Sequence, residues 1–267
     1  MKDENIYSYF PKYPNQKIWR VCPDPKSDLV ALEIREKQQD ENISELLILD
    51  VKNKQIVGNA QMEATQTLLN FFDKILLLSE IDMQSELPIS KGIQALNTNF
   101  ETIWQLEEVS YYDIFEDNEN NSKVIFSLQS NYYSVPLIPK SEEIEAKEES
   151  YSNLKNKVKK YFHSTHEYPT NHTNYSDILD FILGKTKHIA EETILYTENE
   201  KYLLCSYVVE NKNYLLCTDK NGNLKHHFLI KEIEEGKNTD KKNPQDFILM
   251  ENKILWMDKN KLSVMNL

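Results

Sequence analysis

Apolar runs of about five to eight residues alternate with short polar segments along most of this chain. Runs of that length, bounded by Asn, Asp or Pro, predict β-strands. One pattern occurs three times: an apolar strand, a polar turn opened by Asp or Asn, and a second strand. Its copies span residues 45–57, 92–104 and 214–225, with Asp50, Asn97 and Asp219 opening the turns. Because a new apolar run starts five or six positions later, each copy predicts a β-hairpin.

The strands group into five units of roughly 45 to 60 residues, a period close to that of propeller blades. The last unit, at 247–265, contains only three strands. We predict that Lys17–Cys22 supplies its missing outer strand, because Ile18-Trp19 repeats the Ile103-Trp104 that closes the second copy. Residues 1–15 predict an irregular arm. The predicted fold is mainly all-β: a single domain, residues 1–267, forming a degenerate five-bladed β-propeller closed by its N- and C-terminal strands. A β-sandwich with a helical excursion is the alternative.

A helical insertion is predicted at about 141–185. Acidic residues between Ser141 and Ser150 precede a lysine-rich segment that ends at Lys160, the charge order that favours a helix dipole. The apolar stripe of this helix consists of Tyr151, Leu154, Val158 and Phe162. A second, short helix is predicted at 176–184, capped by Ser176 and ended by Gly184.

The second hairpin copy carries a family resemblance. Its segment Ala95-Leu-Asn-Thr-Asn-Phe-Glu-Thr-Ile-Trp104 resembles the blade phrase of quinoprotein-type (PQQ-like) propellers, Ala-x-Asp-x-x-Thr-Gly-x-x-x-Trp. It departs from that phrase in having Asn97 for Asp, a turn one residue shorter and no Thr-Gly pair. The resemblance implies a propeller in which tryptophans dock adjacent blades. The whole chain also resembles a bacterial family of about this length whose members carry such degenerate blades and have no assigned activity.

Charge and composition narrow the possible partners. The chain has 43 acidic and 31 basic residues and a formal net charge of -12, so its average field repels a nucleic acid backbone. No apolar stretch reaches the roughly 18 residues of a membrane-spanning helix, and the N-terminus lacks the apolar core of a signal peptide. Cys22, Cys205 and Cys217 lack metal-ligand spacing and predict buried thiols in a reducing compartment. We expect a cytoplasmic protein that binds no nucleic acid and does not span a membrane.

Charged residues inside strands or at their ends are the candidate ligand-binding residues. Glu33 and Arg35 are two apart in an apolar strand and therefore point to the same face. Arg20, Glu80 and Asp113 lie near strand ends, where the mouth of a propeller channel is expected. Two interpretations stay open: ion pairs that balance charge within and between blades, and a channel mouth that orients an anionic or polar ligand. Arg20 and Arg35 are the only arginines among 31 basic residues, which fits either a need for the planar guanidinium or compositional drift.

Motifs for metal binding and catalysis are incomplete. The histidines and carboxylates nearest to a metal-binding pattern are His163, His166, Glu167, His172 and Asp177. Their spacing matches no zinc finger or His-Glu-x-x-His helix, so we predict a polar loop and no metal, with a metal-dependent loop at His163 to His172 as a third alternative that metal analysis of the purified protein would test. His226 and His227 are adjacent on a strand, point to opposite faces and predict surface residues. No nucleophile elbow, phosphate-binding loop, dinucleotide fingerprint or calcium loop occurs, and we expect no cofactor.

These observations predict a non-enzymatic binding or scaffolding module whose partner is a protein or a small polar ligand. The competing hypothesis is a hydrolase or lyase that uses Glu33, Glu80 and Asp113 together with Arg35. Mutual geometry distinguishes the two hypotheses. Carboxylates that converge in an open pocket favour an enzyme, whereas closed ion pairs between sheets favour a binding module.

Overall fold

Strands predominate in the protein. The computed structural model describes residues 6–38, 41–82, 89–117, 119–141, 145–150, 166–232, 247–250, 252–258 and 260–267. Within these residues the strands form five separate antiparallel sheets, accompanied by one α-helix. The chain divides into two compact units, one of residues 11–160 and the other of residues 1–10 and 161–267. A mainly β fold is therefore confirmed.

The first described strand, β1 (Ile6–Tyr9), belongs to the second of these units, and three sheets of residues 11–160 follow it along the chain. Each of the three contains four described strands that pair in chain order. The first sheet consists of β2 (Gln16–Pro23), β3 (Leu29–Gln38), β4 (Glu41–Asp50) and β5 (Gln55–Met62). The second consists of β6 (Gln66–Phe72), β7 (Ile75–Asp82), β8 (Ile89–Leu96) and β9 (Thr102–Glu107). The third consists of β10 (Ser110–Glu116), β11 (Ser122–Leu128), β12 (Asn131–Pro136) and β13 (Lys147–Glu149).

The unit that contains the two chain ends has two sheets and the helix. The fourth sheet consists of β14 (His166–Tyr168), then, after helix α1 (Tyr175–Thr186), β15 (Glu191–Glu198), β16 (Tyr202–Val209), β17 (Lys212–Asp219) and β18 (Leu224–Glu232). The fifth combines β1 with β19 (Phe247–Leu249), β20 (Lys253–Asp258) and β21 (Lys261–Asn266), in the order β1-β21-β20-β19.

The outer strand of the fifth sheet differs from the prediction. Ile6–Tyr9, predicted as part of an irregular arm, pairs antiparallel with β21, from Ile6 opposite Met265 to Tyr9 opposite Leu262. Lys17–Cys22 instead lies within β2 and pairs with β3. The assignment of Lys17–Cys22 to the last unit is therefore wrong. The two short aromatic and polar stretches differ little in pattern, and the neighbouring strand decides which one pairs.

The predicted helical insertion is correct only in part. The first predicted helix begins at Ser141, and its part from residue 151 onward lies outside the described residues, but Lys147–Glu149 within it is strand β13, paired with β12. Charge order favours a helix there, yet Ser134 on β12 donates a hydrogen bond to the buried Glu149 carboxylate at 3.0 Å. Pairing with the sheet edge thus overrides local preference. His166–Tyr168, also within the predicted insertion, is a strand of the fourth sheet.

The second predicted helix is confirmed as α1, with different ends. Asn174 is its N-cap, without a side-chain capping bond, and Ser176 lies one residue inside the helix. The helix continues past Gly184 because Lys187 adopts the left-handed conformation, at φ 64°, and donates its N–H to the carbonyl of Leu183. No helix in the described part of the chain is both long and apolar enough to cross a membrane.

The three predicted hairpin turns are confirmed. Each is opened by a side-chain oxygen that accepts two backbone N–H groups: Asp50 from Lys52 and Asn53, Asn97 from Asn99 and Glu101, Asp219 from Asn221 and Asn223. The hydrogen bonds from Asn223 lower the pKa of Asp219 to about 2. A fourth turn of this kind, not predicted, joins β10 to β11 and is opened by Asp117.

Large apolar side chains fill the space between neighbouring sheets within each unit. Between the first and second sheets these include Ala31, Leu46, Ile48, Leu68, Phe71 and Leu76. Between the fourth and fifth sheets they include Leu195, Leu204, Leu215, Phe247, Ile254 and Trp256. Cys205 and Cys217 are fully buried free thiols, as predicted. The sheets of each unit are therefore held in fixed relative positions by well-packed side chains.

Candidate functional site

The first strands of the three sheets in the unit of residues 11–160 share one irregularity. Strand β2 has a β-bulge at Trp19, because Ile18 pairs with Ile34 while Arg20 pairs with Glu33. Strands β6 and β10 have equivalent bulges at Leu69 and Tyr112. A bulge adds one residue to a strand and changes the direction of the side chains beside it. The repeat places three corresponding side chains in equivalent positions on three successive sheets.

The residues that follow the bulges are Arg20, Asn70 and Asp113, which we call the post-bulge row. Arg20 Nη1 donates to the carbonyl oxygen of Leu68, the residue before the bulge of β6, at 3.0 Å. Asn70 Nδ2 donates to the hydroxyl of Tyr111, the residue before the bulge of β10, at 2.8 Å. Each of these two side chains thus reaches from its own sheet to the corresponding point of the next. The row is a built feature of three sheets.

Asp113, the third member of the row, has a different environment. Its carboxylate is half-buried and accepts the backbone N–H of Ile114 at 2.8 Å. Burial raises the pKa of Asp113 above its ordinary value, and the hydrogen bond from Ile114 opposes that rise. Neither Asp113 nor Arg20 forms an ion pair with another described residue. The row therefore carries a cation at one end, an amide in the middle and an anion at the other end.

Glu33 and Arg35 form the closed ion pair that the sequence leaves as one of two interpretations. Glu33 is 0% exposed, and its Oε1 lies 2.6 Å from Arg35 Nε. Its other oxygen accepts the Thr67 hydroxyl and the Leu68 N–H, both at 2.9 Å. Glu33 consequently ties β3 to the start of β6 and has no oxygen without a partner. Its carboxylate supports the strands that present the row.

Aromatic side chains accompany the row at the bulges. Trp19 is 57% exposed, and the Arg35 guanidinium carbon lies 4.7 Å from the centre of its ring. Tyr112 is 40% exposed and meets Tyr132 edge to face, with ring centres 5.0 Å apart. With Leu69, the bulged residues provide apolar surface next to the charges of the row. Such amphipathic surface is typical of recognition sites.

The thiol nearest to the row is not a nucleophile. Cys22 Sγ lies 3.9 Å from the carbonyl oxygen of Leu69. Burial raises the pKa of Cys22 to about 12, although the charge of Arg20 lowers it slightly. A thiol with such a pKa is protonated at neutral pH and therefore unreactive. Burial also raises the pKa of Tyr111, which receives the Asn70 hydrogen bond.

Glu80 lies apart from the other predicted site residues. It pairs with Gln66 on β6 and with Gly92 on β8. Its side chain lines a cavity of about 720 Å³ in the second sheet. The other charged residues that line this cavity are Glu63, Lys91, Glu107 and Glu108. The structure thus groups Arg20, Glu33 and Arg35, places Asp113 two residues after the Tyr111 that bonds to Asn70, and places Glu80 at the cavity of the second sheet.

Five residues of the site are not among the candidate ligand-binding residues that the sequence predicts: Trp19, Leu69, Asn70, Tyr111 and Tyr112. The signal that identifies them is a three-residue pattern within each first strand. It reads Ile18-Trp19-Arg20, Leu68-Leu69-Asn70 and Tyr111-Tyr112-Asp113, two apolar or aromatic residues followed by a polar one. Two consecutive apolar residues interrupt the alternation of a strand, and this interruption marks a bulge.

The predicted polar loop of histidines contains no described metal cluster. His163 lies outside the described residues. Glu167 is exposed on β14, and His172 lies in the turn before α1, its ring 4.7 Å from that of Tyr168. In the described ranges no group of three or more His, Cys, Asp or Glu side chains is placed to hold a metal ion.

A second polar cluster occurs in the unit that contains the chain ends, around the buried hydroxyl of Tyr207. His227 Nε2 lies 3.0 Å and His188 Nδ1 3.2 Å from this oxygen. Thr186, in the last turn of α1, accepts a hydrogen bond from the same hydroxyl at 3.4 Å. His227 is therefore half-buried and bonded, which corrects its prediction as a surface residue. The cluster fastens the end of α1 to the fourth sheet.

This cluster predicts a pH dependence of stability. Burial, and secondarily the charge of His188, lower the pKa of His227 below its ordinary value. Since the folded state then binds the proton less well than the unfolded state, stability is complete above about pH 6.5 and falls as the pH drops through the folded pKa. We expect His227→Gln to reduce the fall of the thermal unfolding midpoint between about pH 7 and pH 5, a range set by the ordinary histidine pKa. His226→Gln, on the opposite face, serves as the control, and equal slopes for both variants would contradict the expectation.

Comparisons with known proteins add likenesses of fold only. No protein-family model and no curated protein matches the chain. The β-propeller domain of the Trilobed protease from Pyrococcus furiosus is 10% identical, with a TM-score of 0.35 over 95% of this chain and 83% of that chain. The polysaccharide lyase Uly1 is 6% identical, with a TM-score of 0.28 over 92% of this chain and 57% of that one. The Pyrococcus horikoshii acylaminoacyl peptidase is 10% identical, with a TM-score of 0.28 over 91% of this chain and 51% of that one. At these identities and TM-scores, the likenesses carry no information about activity.

Proposed function

We propose that the chain is a non-enzymatic binding module and that the post-bulge row is its binding site. The observation that carries this proposal is the charge of Arg20 and Asp113, which occupy equivalent positions and have no ion-pair partner among the described residues. A half-buried carboxylate without a counter-charge destabilises the fold. Such a group is expected where the counter-charge arrives with a ligand.

The alternative of a hydrolase or lyase has less support in the described part of the chain. Its three carboxylates do not converge there: Glu33 is closed by its ion pair and hydrogen bonds, Glu80 lines a separate cavity, and Asp113 lies on β10. General acid and base groups need to lie within hydrogen-bond reach of one substrate. A binding role requires only that Arg20 and Asp113 each meet a complementary group.

The arrangement that we propose for the sheets is a five-bladed propeller closed by the pairing of β1 with β21. Four sheets follow each other as antiparallel meanders, and the fifth combines both ends of the chain, the connection that closes a ring of blades. An experimental structure in which the five sheets do not surround one axis would refute this arrangement. The proposed binding row needs only the three sheets of residues 11–160.

The binding proposal is tested by affinity capture from native lysate followed by mass spectrometry. We expect the double variant Arg20→Gln, Asp113→Asn to lose at least one partner by about tenfold, because both charges of the row are removed. The variant has the same net charge as the wild type, so non-specific electrostatic attraction is constant.

The single variant Asp113→Asn is also expected to leave the thermal unfolding midpoint unchanged or raised, since burial disfavours the charge of Asp113.

The matched control is the double variant Lys91→Gln, Glu80→Gln. It also removes one charge of each sign from the same unit, but at the cavity of the second sheet. It should retain every partner of the wild type. If the variant of the row folds and keeps all partners at wild-type levels, the proposed site is wrong.

A further inference from the structure

The post-bulge row is dipolar, and this restricts its ligand. Arg20 is exposed and uses Nη1 for the Leu68 carbonyl, which leaves the rest of its guanidinium available to a carboxylate. Asp113 presents a carboxylate whose oxygens accept, among the described residues, only the Ile114 N–H. Asp113 would repel a uniformly acidic ligand, and Arg20 would repel a uniformly basic one. A ligand that satisfies both ends carries a charge of each sign.

The centre of the row is neutral and already partly bonded. Asn70 Nδ2 donates to Tyr111, and Asn70 Oδ1 accepts the backbone N–H of Phe71 at 2.7 Å. The amide therefore joins the second sheet to the third and adds no charge of its own. Because Arg20 lies on the first sheet and Asp113 on the third, the two charges of the ligand must be separated along its length, as they are on different side chains of one chain.

The bulged side chains add apolar surface beside the residues of the row. Trp19 and Tyr112 are exposed, and Leu69 lies between them along the succession of sheets. Long charged side chains lay their methylene stems along such apolar surface while their heads reach a counter-charge. The net charge of -12 repels a polyanionic chain such as a nucleic acid. Separated opposite charges and apolar stems together are properties of a peptide.

We propose that the post-bulge row binds a linear peptide segment that carries a carboxylate for Arg20 and, a few residues away, an ammonium or guanidinium for Asp113. This inference rests on the proposed binding function and adds the chemical class of the ligand. Trp19 and Tyr112 contact the stems and the intervening residues of the peptide. No covalent step is involved.

The test uses synthetic peptides of twelve residues with blocked ends and a Ser, Ala and Tyr background. Each contains one Glu and one Lys separated by one to six residues, in both orders, and control sets contain Glu and Gln, Gln and Lys, or two Gln. Fluorescence anisotropy of the full chain at low ionic strength measures binding. We expect at least one dipolar spacing to bind about tenfold more tightly than its singly charged and uncharged controls.

Double-mutant cycles between protein and peptide identify the contacts. Arg20→Gln should weaken the best dipolar peptide about tenfold but leave its Gln-and-Lys analogue unchanged, because that analogue lacks the carboxylate. Asp113→Asn should weaken the dipolar peptide but not its Glu-and-Gln analogue. The Lys91→Gln, Glu80→Gln variant should bind like the wild type. If the effect of the protein substitution is the same with and without the peptide charge in both cycles, the assigned contacts are wrong.

Two further outcomes separate this inference from the proposed function. If no dipolar peptide exceeds its controls, or if the lysine-only peptides bind best, the peptide class is wrong. Loss of partners from lysate in the variant of the row would then still support the binding site. If that variant keeps every partner and no peptide depends on Arg20 or Asp113, both proposals fail.

Discussion

Replacing Asp24 by alanine is expected to lower the free energy of unfolding by about 3 kcal/mol, since four donors in part-buried hydrogen bonds lose their acceptor and an unsatisfied buried group costs roughly 1–3 kcal/mol. Asp24 is 0% exposed, and its carboxylate accepts four hydrogen bonds. Two come from its own turn, from the Lys26 N–H at 3.0 Å and the Ser27 hydroxyl at 2.6 Å. The other two come from the N–H groups of Asp73 and Lys74, at 2.9 and 3.1 Å.

The bonds from Asp73 and Lys74 matter most for stability, because they hold the turn of the next sheet. Asp73 and Lys74 form the two-residue turn between β6 and β7, and both have positive φ, 51° and 64°. Residues other than glycine adopt this conformation at a cost, so the turn depends on the acceptor that Asp24 provides. Without it, the first sheet loses two of its hydrogen bonds to the second, and those of Arg20 and Glu33 to β6 remain.

Thermal and denaturant unfolding measure this effect. A loss of 3 kcal/mol corresponds to a fall of roughly 6 °C or more in the unfolding midpoint for a chain of this size. Asp50→Ala is the matched control, because Asp50 accepts the same kind of turn bonds at an exposed site, where water replaces it. If the two substitutions lower the free energy of unfolding by the same amount, the hydrogen bonds from Asp24 to the second sheet contribute nothing to stability.

The hairpins were predictable from the sequence because their information is local. Asp50, Asn97 and Asp219 each accept N–H groups only two to four residues ahead, so residue type and spacing suffice. The buried strands followed from apolar runs for the same reason. Trp104 adds a contact between elements: its indole N–H donates to the Leu137 carbonyl at 2.9 Å, which links the second sheet to the segment after β12.

Pairing partners distant in the chain were not predictable from local pattern. Ile6–Tyr9 pairs with β21 some 250 residues away, and nothing in its own sequence distinguishes it from an irregular arm. Lys147–Glu149 is likewise a strand because β12 presents an open edge to it. In both cases the neighbouring strand supplies the hydrogen bonds that the local sequence leaves undecided.

The charged residues of the candidate site were predictable from the sequence, but the residues that each of them contacts were predictable only in part. Arginines and carboxylates in strands identified Arg20, Glu33, Arg35 and Asp113, since unusual charge in an apolar run is visible in sequence. Which charges are closed and which are open depends on the next sheet, through Thr67 and Leu68 for Glu33. Asp24, placed between two prolines, gave a turn signal but no indication of its contacts with the next hairpin.

The Glu33→Ala substitution is expected to lower the free energy of unfolding by about 3 kcal/mol, because a buried carboxylate that accepts charge-assisted bonds leaves its donors unpaired. The Leu68 N–H and the Thr67 hydroxyl lose their acceptor, and Arg35 loses its carboxylate. Arg35 is 30% exposed on its side chain, so water compensates part of that loss. The bonds to the second sheet should therefore dominate.

A comparison with Arg35→Ala separates these contributions. If Glu33 acts mainly between sheets, Arg35→Ala should cost only about 1 kcal/mol, the range of a partly exposed ion pair, and the double variant should resemble Glu33→Ala. Glu33→Gln retains one acceptor oxygen and should fall between Glu33→Ala and the wild type. Denaturant unfolding of the four variants measures these differences, and equal costs for Glu33→Ala and Arg35→Ala would show that the ion pair dominates. In lysate capture, Glu33→Gln should keep the partners that the variant of the row loses, because Glu33 holds the strands of the site in place while Arg20 and Asp113 meet the ligand.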